Sequence, residues 1–151
     1  MKFSQYPYKR IDLERFRKDT KEMINEFISA ESSKQQIQII QKYQEIQKEI
    51  QTYASIANLN FARDTKNNKN IDENKFYDKI IPEIAAIDNQ FTKAINSSKF
   101  KNELLAKFGE HFFNLISMEL KSFDPKLVEL MKEENELTNE YKSLLAGAEM
   151  K

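Results

Sequence analysis

"SKQQIQIIQKYQEIQKEIQTYASIANLNFARD", residues 33–64, decides the fold. Within it Ile39, Tyr43, Ile46, Ile50, Tyr53 and Ala57 step by four, three, four, three and four. That spacing gathers apolar side chains on one face of a helix with 3.6 residues per turn. Ser33 followed by Gln36 has the pattern of a capping box, so the helix is predicted over 33–64. A coiled coil would use the same spacing. Charges are not concentrated beside this seam, however, and a helical bundle accounts for it equally well.

Working outward, the segment before it begins with an extended "FSQYPY". Asp12 can then cap a helix over about 12–29, with Leu13, Phe16, Thr20, Met23 and Phe27 on one face. After residue 64 the polar run "DTKNNKNID" offers asparagines suited to turns, and Asp72 can cap the next helix, predicted over 72–96. Its face is Tyr77, Ile80, Ile84, Ile87, Phe91 and Ile95, and Pro82 lies in its interior. A proline there has no N–H for the carbonyl of residue 78 and crowds it, so a kink is expected near 78–82. Ser98 can cap a short helix that Gly109 ends, and "EHFFNLISMELKSF" forms another. Asp124 and Pro125 are a strong start signal for a last helix over 125–148.

That last helix carries an apolar stripe of Leu127, Leu130, Leu137, Tyr141, Leu144 and Ala148, expected to face the core. Glu134 fills the gap in the stripe. Either the stripe slides to Met131 there and Glu134 is solvated at its edge, or Glu134 is buried against a lysine, arginine or tyrosine. No segment alternates as a strand and no internal repeat is evident. The expectation is an all-α, antiparallel bundle of about five or six helices, with 33–64, 72–96 and 125–148 as its long members and 1–151 as one domain.

Composition narrows the chemistry. The 24 Lys and Arg residues balance 24 Asp and Glu, so no global field favours nucleic acid or an anionic membrane. The balance is uneven along the chain, at +4 over residues 1–21 and −4 over 122–140, which reads as solvated faces. With no cysteine, disulfides, zinc ribbons and thiol nucleophiles are excluded. No signal-peptide core or uninterrupted apolar span is present, and a soluble cytoplasmic protein is expected. Two glycines, Gly109 and Gly147, cannot build a phosphate-binding loop.

His111 is the single histidine, in "KFGEH" at 107–111. The inverted zinc motif H-x-x-E-H would need a second histidine where Lys107 stands, and an ammonium has no lone pair for a metal. A serine nucleophile would need His111 as its base, yet Phe112 and Phe113 flank it and no serine elbow is near. Adjacent carboxylates such as Glu133 and Glu134, or Asp72 and Glu73, point about 100° apart on a helix and do not converge. The eleven phenylalanines and six tyrosines fall mostly on the apolar stripes rather than among basic residues, which favours core packing over base stacking. No catalytic, cofactor-binding or metal-binding residue is therefore assigned.

Three stretches taken together, "MKFSQYPYKRIDLERF", "FARDTKNNKNIDENKFYDKIIPEI" and "SSKFKNELLAKFGEHFFNLISMELKSFDPKLVELMKEENELTNEYKSLLA", resemble the amino-terminal part of oligoendopeptidase F and its relatives among the thimet-oligopeptidase-like zinc metallopeptidases. The resemblance covers nearly the whole chain. It implies a hydrolase, a zinc metalloprotease acting on short peptides, whose catalytic helix bears His-Glu-x-x-His. None of that motif is here, so the resemblance implies the non-catalytic helical region that precedes it, helps to wall a channel for short peptides, and is inactive alone. Zinc is then expected in the catalytic part of the parent protein and no cofactor in this chain. Its partners would be the catalytic domain of the same protein and, in the full enzyme, short peptides. "SLLAGAEMK" has no decisive stop, and self-association of a truncated chain would cover its exposed faces. The alternative is a stand-alone helical interaction module, an adaptor or coiled-coil dimer. A nucleic-acid binder using the basic first 21 residues is the weaker rival.

Overall fold

The computed structural model describes residues 7–124 and 126–147. Within them the chain is all-helical: α1 (Leu13–Ser29), α2 (Ser33–Arg63), α3 (Asn68–Asn96), α4 (Lys101–Ser122) and α5 (Leu127–Gly147). The third helix is the axis of the bundle, since α1, α2, α4 and α5 each pack on it.

Local chemistry sets the ends of these elements. Asp12 caps α1 as expected, its carboxylate accepting from the Arg15 N–H at 3.0 Å. The capping box of α2 exists one residue earlier than predicted: Ser32 Oγ accepts from the Gln35 N–H, and Gln35 Oε1 accepts from the Ser32 N–H. Gln36 is thereby freed for the core. Its amide donates to the Phe27 carbonyl at 2.9 Å and accepts from Ser98 Oγ, tying α1 and the α3–α4 turn to α2. Ser98 consequently does not cap α4. Phe100 holds that position without a side-chain cap, and Ser98 Oγ accepts from its N–H at 3.0 Å.

Helix α3 starts at Asn68 rather than near Asp72, because Asn67 caps it by accepting from the N–H groups of Lys69 and Asn70. Asn70 Nδ2 also donates back to the Asn60 and Asp64 carbonyls, so the polar run closes as a short turn against the end of α2. From there α3 continues as one helix across Pro82, which is fully buried. Helix α4 consists of two arms joined at Gly109, whose φ of 84° and ψ of 164° lie in a region essentially reserved for glycine. The stop expected there is real.

The core is built from the stripes expected of α1 and α3. Phe16, Thr20, Met23 and Phe27 are buried on α1, and Tyr77, Ile80, Ile84, Ile87, Phe91 and Ile95 on α3. At its centre Phe91 meets Phe27 edge-on at 5.5 Å and Tyr43 at 4.5 Å. Burying each such ring stabilises the fold by about 2–3 kcal/mol, with about 1 kcal/mol more from the aromatic geometry. On α2 the buried face includes Tyr43, Ile50 and Ala57, while Ile39, Ile46 and Tyr53 are half-buried at its border.

The last helix departs from expectation. Leu130, Leu137, Tyr141 and Leu144 are 57%, 67%, 65% and 75% exposed, so the apolar stripe of α5 faces away from the bundle. Glu134 is exposed within it, and Met131 is exposed too. Ala148, Met150 and the proline of the start signal lie outside the described residues, as does most of the extended N-terminal segment. The face that α5 turns to α3 is polar, for a reason found at Pro82.

Candidate functional site

Pro82 leaves the Asp78 carbonyl without its helical donor. Asn135 supplies one from α5, its Nδ2 donating to that oxygen at 3.1 Å. Around this bond the seam is a ladder of amides and charges. Asn139 Nδ2 donates to the Asp78 carboxylate, Asn74 Nδ2 donates to the same oxygen at 2.7 Å, and Asn74 Nδ2 also meets Asn139 Oδ1 at 3.2 Å. Burial pushes the Asp78 carboxyl upward, against the hydrogen bond from Asn139 and the charge of Lys142. One turn away, Lys132 Nζ and Arg17 Nη2 each contact Glu83 at 3.1 Å, so one carboxylate links α5, α3 and α1. The basic first segment and the acidic last one are thus joined through α3 rather than directly.

Beside this seam lies a groove of about 630 Å3 between α5, α3 and the end of α2. Phe61 and Ile71 give it apolar walls, Leu144 at the edge of the outward stripe forms its rim, and Lys75, Lys79, Glu136 and Glu140 also line it. Its charges are partly spent on one another, with Lys79 Nζ 3.9 Å from Glu136. No side chain here pairs a nucleophile with a base.

Two further polar clusters are structural by their contacts. Glu73 accepts from Tyr8 Oη and from Arg10 Nε at 2.9 Å, and Arg10 stacks 4.7 Å over the Phe76 ring. Burial would raise the Glu73 carboxyl, but the hydrogen bonds from Arg10 and Tyr8 outweigh it and hold the group below its ordinary value. Glu73 thus pins the N-terminal segment to α3, and its neighbour Asp72 is exposed and adds only its charge near Arg10. In the second cluster Asp88 accepts from Tyr43 Oη and Gln47 Nε2. Burial, with the charge of Glu119 adding to it, pushes Asp88 up to about 6.

The single histidine does not enter any of these clusters. His111 is exposed at the start of the second arm of α4, beside the exposed Glu110. Glu133 and Glu134 are likewise exposed and point to different sides of α5. Among the described residues no group of three or more His, Cys, Asp or Glu side chains is placed to hold a metal, and no helix is long and apolar enough to cross a membrane. The surface that stands out is therefore the outward face of α5. Sequence reading found its residues but assigned them to the core, because spacing locates a stripe without saying which way it faces.

Comparison with known proteins adds identity to this geometry. No curated protein matches the chain significantly. Among solved structures, one designated oligoendopeptidase F from Bacillus anthracis str. Ames superposes with a TM-score of 0.95 at 27% identity, over 100% of this chain and 28% of that one. Pz peptidase A, solved with an inhibitor, matches at a TM-score of 0.89 and 28% identity, over 93% of this chain and 25% of its own. A further oligoendopeptidase F structure matches at 0.89 and 29% identity, with the same two coverages of 93% and 25%. The chain thus spans about a quarter of the length of these structures. The family model for the peptidase M3 N-terminal domain matches residues 3–123, and the chain belongs to that family.

Proposed function

We propose that this chain is the non-catalytic N-terminal helical domain of a cytoplasmic, oligoendopeptidase F-like zinc metalloendopeptidase, and that it helps to wall a channel admitting short peptides. The observation that carries the reading is the superposition on 93–100% of this chain by proteins about four times as long, at 27–29% identity. Hydrolysis then belongs to the rest of the peptidase. His-Glu-x-x-His is absent from these 151 residues and the described residues gather no group of three or more His, Cys, Asp or Glu side chains, so we assign the zinc to the rest of the peptidase and derive no step through this chain. What the chain contributes is shape. A helical wall excludes folded proteins while unstructured peptides pass, which is selectivity by access rather than by contact energy. The outward apolar stripe of α5 supports this, because such a face is covered in a working protein.

The test compares the complete peptidase with a form lacking residues 1–151, using a short quenched fluorogenic peptide and a long denatured protein as competing substrates. The expected result is lost discrimination between them on removal of the wall. Unchanged discrimination with retained activity, or zinc-dependent cleavage by the purified 151-residue chain, would refute the proposal.

A further inference from the structure

We propose that the outward face of α5 receives an apolar helix edged with lysine or arginine, contributed by the catalytic part of the peptidase. The inference rests on the preceding reading and names the chemistry of what covers this surface. Leu130, Leu137 and Leu144 recur every seven residues, and Leu127, Glu134 and Tyr141 form the alternate row, the two rows of a coiled-coil seam. All five apolar members are exposed, with Leu145 beside them, on the side of α5 opposite the Asn135 and Asn139 ladder. From Leu127 to Leu145 the face is about 27 Å long at the helical rise per residue, so its natural occupant is a helix of about five turns.

Charge selects among the apolar helices that could lie there. Glu134 interrupts one row, and Glu133 and Glu140 line the edge beside the groove, which Glu140 also borders. Among the described residues none of the three takes an ion pair, whereas Glu129 and Glu136 on the same helix are met by Lys132 and Lys79. A polar residue at a single seam position specifies the partner, and edge charges set its choice. A second copy of this chain would bring its own Glu133, Glu134 and Glu140 against the same three carboxylates. A helix with cations opposite them satisfies all three.

The test uses the 151-residue chain with fluorescently labelled designed helices that share a leucine seam and differ in their edge and central charges, lysine in one and glutamate in the other. Anisotropy titration is expected to show the lysine helix binding at least about tenfold more tightly, the sum of three weak exposed pairs, with the gap shrinking at high salt. The triple variant Glu133→Lys, Glu134→Lys, Glu140→Lys should invert the preference. Leu137→Ser with Leu144→Ser should abolish binding of both helices, and circular dichroism checks that the bundle persists because every altered side chain is exposed. Equal binding of the two helices, binding of neither, or a stable dimer of the chain held by α5 would overturn the proposal. These outcomes leave the channel reading intact, since that reading is tested separately, by substrate selectivity and by the activity of the purified chain.

Discussion

The bond from Asn135 Nδ2 to the Asp78 carbonyl should be worth more than an ordinary interhelical contact, because Pro82 has removed the alternative donor. Replacing Asn135 with Ala leaves a carbonyl in a helix interior with no protein donor. Orphaning a buried acceptor costs about 1–3 kcal/mol, and the half-buried position of Asn135 places this one near 1–1.5 kcal/mol. Pro82→Ala returns an N–H to residue 82, which can bond the same carbonyl along the helix. In that background Asn135→Ala should cost no more than about 0.5 kcal/mol, giving a coupling of about 1 kcal/mol between two residues on different helices. The void left by the buried proline ring is present in both Pro82→Ala variants and cancels in their difference. Urea titration followed by circular dichroism should move the midpoint by roughly 0.5 M for Asn135→Ala in the native background and by little beside Pro82→Ala. Hydrogen exchange along α5 supplies a local reading, since among the described residues α5 packs on α3 alone. An equal cost of Asn135→Ala in both backgrounds would refute the reasoning.

Three other perturbations test separate parts of the fold. Asp88 has its folded-state pKa raised from 3.8 to about 6, so its ionisation opposes folding: the penalty is absent below about pH 4, grows as pH rises, and is complete above about 6. Asp88→Asn keeps an acceptor for Tyr43 and Gln47 and should raise Tm at pH 7.5, by at most about 3 kcal/mol or several degrees, but not at pH 4; an equal shift at both pH values would show that ionisation is not the cause. Gly109→Ala forces a side chain into a backbone region reserved for glycine and should cost about 1–3 kcal/mol in thermal melts, although nothing lies within 4 Å of where its Cβ would stand. A cost below about 0.5 kcal/mol would mean that the α4 joint relaxes freely. Asn89 is buried on α3 with an amide nitrogen lacking a partner among the described residues, so Asn89→Leu should stabilise by about 1 kcal/mol, and a clear loss of stability would disprove the orphan.

Most of the bundle was legible from spacing. The stripes of α1 and α3 bury as read, Asp12 caps where expected, and Gly109 breaks α4. The misses at the helix starts are cases in which two polar residues could do one job. Ser32 with Gln35 competes with Ser33 and Gln36 for the capping box, and Asn67 competes with Asp72 to start α3. Tertiary demand decided the first: Gln36 is worth more as a buried bridge between Phe27 and Ser98 than as part of a cap. The role of the α5 face could not be read, because a periodic stripe is silent about its partner.

Pro82 gives a physical reason why α5 is inverted relative to the other helices. A proline in the central helix creates a polar demand at Asp78, and whatever packs there must answer with donors rather than methyl groups. Asn135 and Asn139 answer it, Lys132 and Glu83 extend it, and the polar face of α5 is thereby committed to α3. Its leucines must then lie opposite. Amide and charge contacts of this kind contribute about 1 kcal/mol each, whereas a leucine fully removed from water contributes about 2 kcal/mol, so α5 is held to the bundle less firmly than its own composition would permit. The difference is available to whatever covers the leucines. A helix with a polar seam behind it and an apolar face in front is thus poised to gain order when that face is covered, and α5 amides should exchange faster than those of α3 in the 151-residue chain.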